Sequence, residues 1–405
     1  MLKLRTTIPI LSLVIVMTMV LSACQQAAPT FSPEEIEQAV QQTMAAMPTA
    51  TFTPTVTQTP TPTVTPTPVI VYYGPSNFPE NVNPLTGLEV SDPALLNRRP
   101  LMIKVSNFPR EGRPHAGLSS ADIVFDYYTG EGANRFLALY YGKDATQIGP
   151  IRSGRLVDRH LVAMYQGVLG AVYAWEGTWT KILDYLGWTR VISEGPNTCP
   201  AMCRDEALNK VKPEVSVFAN SAEMSKYYAA RPNATNTRQN LDGMVFHTIA
   251  PAGGVEAIEL THQFGKNNLA KWVYNPDTRK YMRWIDNIKA NGELEMIPLV
   301  DRVNDEQLQF SNIIITFTHI ETLNKDDTLH EFSIVNNTGR ALIFRDGMMY
   351  DVTYKSGYTT PIQFLDKDGN PFELQPGNTW IHMSGSYTSV TEQSPGVYYT
   401  KIGLP

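Results

Sequence analysis

Cysteine is scarce in this 405-residue chain, with only Cys24, Cys199 and Cys203. Cys199 and Cys203 lie in Cys-Pro-Ala-Met-Cys, which offers two ligands and no histidine nearby, so no zinc site is expected there. The spacing is also not Cys-x-x-Cys, which excludes a thioredoxin-type redox pair. Charge is sparse too, at 18% of residues, and the 33 basic against 39 acidic side chains leave a formal net charge of −6. An acidic balance argues against a nucleic-acid partner, which would demand a basic footprint. The apolar run at the start, Ile8 to Val20, is too short to span a bilayer. Gly-x-Ser-x-Gly, a phosphate-binding Walker loop, His-Glu-x-x-His and a dinucleotide fingerprint are all missing. No cofactor, no metal and no catalytic constellation is therefore expected.

What is present begins with an export signal. Met1 to Arg5 is a basic n-region, Ile8 to Val20 an apolar core, and Leu21-Ser22-Ala23-Cys24 closes it with small residues. That tetrapeptide resembles the bacterial lipobox, which implies cleavage before Cys24 and a diacylglycerol on its thiol. The expected location is the extracytoplasmic face of the cell membrane, with residues 1–23 removed and Cys24 as the anchor. In an exported chain Cys199 and Cys203 are expected to join in a local disulfide.

Residues 24–80 read as a stalk. Ser32-Pro33-Glu34-Glu35 has the order of a capping box with proline at the first helical position, and predicts a short amphipathic helix over 33–47. Pro48 to Pro68 carries no charge and alternates Thr with Pro and Val, a composition that cannot bury enough surface to fold. Such a chain extends by about 3.1 Å per residue, so it could hold the globular part roughly 60 Å from the lipid.

The densest group of specific polar residues is Gly149-Pro150-Ile151-Arg152-Ser153-Gly154-Arg155-Leu156-Val157-Asp158-Arg159. Gly-Pro sets a turn, Ser153 can cap a helix starting just after it, and the apolar spacing predicts that helix to about Gly167. Arg152, Arg155 and Arg159 would then share one helical face near its start, where the macrodipole disfavours cations by about 0.3–1 kcal/mol each. Two readings stand open: structural salt bridges to Asp158 and nearby acids, or an anion-binding site that also takes in Arg135.

Around this stretch the first globular half, residues 81–235, reads as strands at 99–107, 123–128, 135–141 and 167–175, with a helix to about Leu186. A glycine link at 130–132 makes the second and third antiparallel neighbours. Trp175, Trp179, Tyr185 and Trp188 read as core more than as a ligand platform. Four motifs in order, Asn83-Pro84-Leu85-Thr86-Gly87-Leu88, Arg113-Pro114-His115-Ala116-Gly117-Leu118-Ser119-Ser120-Ala121-Asp122, Asn134-Arg135-Phe136-Leu137 and Ile148-Gly149-Pro150-Ile151-Arg152-Ser153-Gly154-Arg155, resemble the YerB-like family of bacterial lipoproteins. That resemblance implies an α/β N-terminal domain and a β-rich C-terminal domain, both uncharacterised. The chain departs from the family's pattern at His115 and at Thr129-Gly130-Glu131-Gly132, so no catalytic role carries over to His115 or Glu131.

The second half, residues 240–400, predicts a hairpin around Asn275-Pro276-Asp277-Thr278, a buried strand at 313–317, and strands at 331–335, 341–345 and 348–354 joined by Asn336-Asn337-Thr338-Gly339 and Asp346-Gly347. Asp366-Lys367-Asp368-Gly369-Asn370 looks like a calcium loop but lacks its distal glutamate and length, and reads as a tight turn. The fold class is α+β, an α/β domain followed by a mainly antiparallel β-rich one. The leading functional expectation is a lipid-anchored envelope protein that binds or scaffolds, linked to cell-wall-synthesis proteins or an anionic envelope ligand. The alternative is a phosphotransferase-like enzyme acting on a lipid-linked pyrophosphate glycopolymer. A solute-binding protein would need two α/β lobes, which the β-rich half does not offer.

Overall fold

Runs of β-branched and aromatic residues bounded by glycine, proline and asparagine build most of this molecule as strands. The computed structural model describes residues 32–45, 70–174 and 177–404. The leader, Cys24, the whole Thr/Pro stretch from Pro48 to Pro68, Trp175 and Glu176 lie outside the described residues. The chain divides into two units, Met1–Thr67 and Pro68–Pro405.

In the first unit, α1 (Pro33–Ala45) starts where the sequence places it. The Ser32 backbone N–H donates to Glu35 Oε2 at 2.8 Å and the Glu35 N–H to Ser32 Oγ at 3.3 Å, the reciprocal bonds of a capping box.

The second unit is α+β, with its helices in the N-terminal half and a mainly antiparallel, β-rich C-terminal half. In chain order its elements include β1 (Leu101–Ser106), β2 (Ile123–Gly130), β3 (Ala133–Tyr140), α2 (Leu156–Met164), β4 (Val168–Gly170), α3 (Thr178–Leu186), β5 (Val191–Ile192) and α4 (Ser221–Ala229). There follow β6 (Val255–Glu256), β7 (Glu259–Gly265), β8 (Asn268–Asn275), β9 (Lys280–Ile288), β10 (Leu294–Pro298), β11 (Asn312–Thr318) and β12 (His330–Phe332). The chain closes with β13 (Thr338–Arg345), β14 (Met348–Lys355), β15 (Thr379–Gly385), β16 (Ser389–Ser394) and β17 (Val397–Lys401).

One large sheet runs in the order β6-β14-β13-β11-β15-β2-β3-β1-β4-β5. It crosses the boundary expected near residue 235, because β15 from the end of the chain lies parallel to β2, with Trp380 opposite Val124 and His382 opposite Asp126. The central strands are buried along their whole length, which a sheet covered on both faces requires. On one face Met102, Phe125, Leu137 and Ile381 pack with Val157, Leu161 and Met164 of α2 and Ile182 of α3. On the other, Ile103, Val124, Phe136 and Trp380 pack against Leu260, Trp272, Tyr281 and Ile285 of a second sheet, ordered β10-β9-β8-β7-β17-β16. There β7 alternates buried and half-buried residues, the period-two signature of a strand with one wet face.

Several local expectations shift. Helix α2 ends at Met164 rather than Gly167, and the strand expected over 167–175 is the short β4 with a single bridge at Val172. The Asn275–Thr278 and Asp346-Gly347 hairpins form as β8–β9 and β13–β14. The hairpin expected at 336–339 does not, because β12 pairs with Ile320–Thr322 and not with β13. Tyr185 and Trp188, expected in the core, are exposed, while Trp179 is half-buried. Trp175 falls outside the described residues. Cys199 and Cys203 are joined as a disulfide.

Candidate anion-binding site

The arginine stretch is laid down as an extended ribbon before it becomes a helix. The Arg152 N–H donates to the Lys104 carbonyl at 3.0 Å, the Val172 N–H to the Arg152 carbonyl at 3.1 Å, and the Gly154 N–H to the Val172 carbonyl at 3.2 Å. These bonds fix residues 152–154 between the ends of β1 and β4. Helix α2 begins only at Leu156, so the three arginines do not share a helical face. Arg152 precedes the helix, Arg155 is its N-cap in extended geometry, and Arg159 alone lies inside it. Ser153 does not cap. Asp158 takes that part, its Oδ2 accepting the Arg155 N–H at 2.6 Å. Gly154 lacks a side chain where there is little room for one: a Cβ there would stand 3.0 Å from Ile182 Cδ1 of α3.

Beneath this ribbon, on the helix-covered face, lie two residues that sequence reasoning passed over. Lys104 on β1 and Tyr127 on β2 are fully buried, as is Asp158. Lys104 Nζ donates to the Tyr127 hydroxyl and, at 3.3 Å, to Asp158 Oδ1, which also accepts the Tyr127 O–H. Burial pushes the Lys104 amine down to about 7; Asp158 opposes that shift, and Arg135 and Arg155 reinforce it. Burial likewise raises the Asp158 carboxyl, against the pull of Lys104. Asp158 is thereby committed to Lys104, Tyr127 and the helix cap, which uses most of the acceptor capacity of a carboxylate.

Arg135 on β3 stands opposite Tyr127 on β2 and Ser106 on β1. Its Nη1 donates to the Ser153 carbonyl at 3.0 Å, and among the described residues no carboxylate lies within ion-pair distance of it. Burial holds it well below its ordinary value, and the Arg155 and Arg152 guanidiniums push the same way. Arg152 donates to the Glu214 carbonyl at 3.1 Å, and burial lowers it as well, opposed by the Glu214 charge. It lines a cavity of about 250 Å³ with Ser153, Val172, Arg204 and Glu214. Arg204 is itself clamped by Glu194 at 2.9 and 3.1 Å.

The structure thus brings together Arg135, Arg152 and Arg155 and separates Arg159 from them. Arg159 Nη2 is 2.8 Å from Glu331 Oε2 on β12, and His160 Nε2 is 2.7 Å from the other oxygen. Against the burial that would raise it, His160 and Arg159 hold the Glu331 carboxyl below the usual range. Arg159 is therefore an ion-pair partner within the fold. The cluster sits at the carboxyl end of β1, just past β4 and at the start of α2, a placement in which α/β sheets bind anions.

Other sequence candidates fall elsewhere. His115 is buried against Phe136 at 5.1 Å, and burial pushes its imidazole well down, keeping it neutral and away from solvent. Glu131 is exposed at the β2–β3 turn and its N–H donates to Asp327 at 2.9 Å. Asp366 closes its own turn, accepting the Asp368 and Asn370 N–H groups at 2.9 and 2.8 Å. The motif residues Asn83 and Asp122 form a latch between the two halves. Asn83 Nδ2 donates to Asp122 Oδ1 at 3.0 Å, the Gly377 N–H to the Thr86 carbonyl at 2.8 Å, and the Thr379 N–H to the Asp122 carbonyl at 3.0 Å.

Comparison with known proteins agrees with this architecture. A relative from Bacillus subtilis (strain 168), named "Putative lipoprotein YerB", is 24% identical over 314 residues, covering 74% of this chain and 85% of that protein. The crystal structure of the YerB protein from Bacillus subtilis superposes with a TM-score of 0.59 at 21% identity, over 75% of this chain and 96% of that one. Among the described residues no helix is long and apolar enough to cross a membrane. Residues 85–259 match the N-terminal domain, and residues 260–381 the C-terminal domain, of the protein family of unknown function DUF3048, and the chain belongs to that family.

Proposed function

We propose that this protein is held through Cys24 at the extracytoplasmic face of the cell membrane and binds a phosphate-type anion at Arg135, Arg152 and Arg155, in a binding or scaffolding role alongside cell-wall synthesis. The carrying observation is Arg135. A guanidinium cannot shed its proton in a protein, and a largely buried charge needs a counter-charge. Arg135 has a neutral carbonyl as its hydrogen-bond partner and two further guanidiniums as its charged neighbours. An anion with several acceptor oxygens would supply the counter-charge that the described residues do not give Arg135, through charge-assisted bonds to planar donors.

Binding is favoured over phosphotransfer because Asp158, the acid at the cluster, is already committed to Lys104, Tyr127 and the Arg155 N–H. Among the described residues no group of three or more His, Cys, Asp or Glu is placed to hold a metal that a transferase of this kind would use.

Thermal melts of the full chain with pyrophosphate test the anion site. At a hundredfold excess over the dissociation constant the ligand should add about 2.7 kcal/mol of stability, and Arg152→Ala or Arg155→Ala should remove that gain. Variants that are severely destabilised with or without pyrophosphate, in a wild type that shows no shift, would instead make the arginines structural. For the anchor, a fatty-acid probe should label the wild type in cells and leave Cys24→Ala unlabelled.

A further inference from the structure

A cavity of about 360 Å³ opens where the two halves of the second unit meet, and none of its lining belongs to the arginine cluster. Stretches 83–91 and 119–122, with Gly142 and Lys143 just past β3, supply one side. Gly377, Asn378 and Lys280 at the start of β9 supply the other. Hydrogen bonds fix this frame. Besides the Asn83–Asp122 and Gly377–Thr86 contacts, the Tyr141 and Gly142 N–H groups donate to Asp122 Oδ2 at 2.6 and 3.0 Å, and the Ser119 N–H donates to Asp301 Oδ2 at 2.8 Å. Asn378 is committed too, its Oδ1 accepting the Ser311 N–H at 3.3 Å and its Nδ2 donating to the Gln309 carbonyl at 3.2 Å. The groups left over are cations and hydroxyls. Among the described residues the side chains of Lys143, Lys280, Ser119 and Ser120, all in the lining, have no ion-pair or hydrogen-bond partner. Lys280 is half-buried, and burial pulls its amine below the ordinary value with no carboxylate opposing the shift.

We infer that this cavity binds a small carboxylic acid, its carboxylate set on the Lys280 ammonium and accepting from the Ser119 and Ser120 hydroxyls. The site is separate from the one at Arg135 and does not depend on it. An ammonium and two hydroxyls are single-point donors, and a carboxylate has the lone pairs to accept from all three. The acids of the lining limit the charge that fits. Asp122 is buried and Glu89 exposed, so a phosphate dianion would meet more repulsion than a singly charged carboxylate. The volume equals that of about a dozen water molecules at roughly 30 Å³ each, room for an acid of about that many non-hydrogen atoms.

Calorimetric titration of the full chain with N-acetylalanine and N-acetylalaninamide tests this, because the pair differs only in a carboxylate exchanged for a neutral amide of the same shape. The acid should bind about tenfold more tightly than the amide or better, the scale of one hydrogen bond to a charged group. Lys280→Met removes an unpaired cation, should melt with the wild type, and should erase the difference, while Lys280→Arg should keep most of it. A double variant, Ser119→Ala with Ser120→Ala, breaks no internal side-chain bond and should weaken the acid by about tenfold with the lysine intact. Equal binding of acid and amide, a difference that survives Lys280→Met, or failure of both to bind would overturn the site. Methyl phosphate binding more tightly than N-acetylalanine, and losing that affinity in Lys280→Met, would overturn the carboxylate as its ligand.

Discussion

The two faces of the large sheet carry buried polar clusters of opposite character. Facing the second sheet, Asp126 accepts from Asn134 and, at 3.3 Å, from Trp380, with His382 Nδ1 at 3.1 Å. Trp272 Nε1 donates to His382 Nε2 at 2.9 Å, which fixes that imidazole as neutral with its proton toward Asp126. Arg283 supplies the positive charge, its guanidinium 5.0 Å from the Trp272 ring and 5.4 Å from Trp380. Acid and base are matched within the fold. On the helix-covered face Arg135 has the Arg155 and Arg152 guanidiniums as repelling neighbours and, among the described residues, no carboxylate within ion-pair distance. A charge-matched buried network holds two layers together, while a buried cation such as Arg135, with no matched acid among the described residues, is a candidate for a ligand.

The largest effect should come from unbalancing the matched face. Asp126→Ala strips the carboxylate from Asn134, Trp380 and Arg283 and should destabilise the protein by about 3–5 kcal/mol in denaturant unfolding. Sulfate affinity should stay as in the wild type, because the site lies on the opposite face. A loss of sulfate binding with little loss of stability would reverse the roles of the two faces.

Next comes the unbalanced face. Arg135→Met removes a cation that has no carboxylate partner among the described residues, so the ligand-free variant should be as stable as the wild type or more so. Its sulfate affinity should fall by about 10- to 100-fold in calorimetry, the scale of one hydrogen bond to a charged group. Severe destabilisation without ligand would place Arg135 among the matched pairs.

A smaller effect separates the faces by pH. Lys104, pushed down to about 7 by burial, is half neutral near pH 7, and a bound anion would favour its charged form. Binding should therefore take up a proton, and sulfate affinity should weaken by about tenfold as pH rises from 7 to 9, where sulfate itself does not titrate. Lys104→Met should flatten that profile, and an unchanged profile would detach Lys104 from the site. Smallest of all, Arg159→Ala opens a part-exposed pair with Glu331 and should cost about 1 kcal/mol or less, with sulfate affinity unchanged.

Much of the fold was legible locally. The capping box at Ser32–Glu35, the β2–β3 link, the β8–β9 and β13–β14 hairpins and the Asp366 turn are all decided by residues within a few positions of each other. What was hidden depends on distant pairing. The parallel β2–β15 contact joins residues more than 250 apart, and β12 finds its partner at 320–322 only because the chain returns there. The arginine cluster announced itself by density, yet its division did not, since Glu331 lies 172 residues from Arg159. Lys104 carried the one overlooked clue. A lysine in the middle of Leu-Met-Ile-Lys-Val-Ser, a run apolar enough for a strand buried on both faces, needs an internal partner, and the sheet register supplies Tyr127 and Asp158.

The central claim is that Arg135 binds an anion together with Arg152 and Arg155. Crystals of the protein soaked in selenate, an anomalously scattering sulfate analogue, test it most directly. The predicted result is an anomalous peak within hydrogen-bond distance of the guanidiniums of Arg135 and at least one of Arg152 and Arg155. Selenate bound elsewhere on the molecule, with that space occupied by ordered water or by a protein carboxylate, would contradict it.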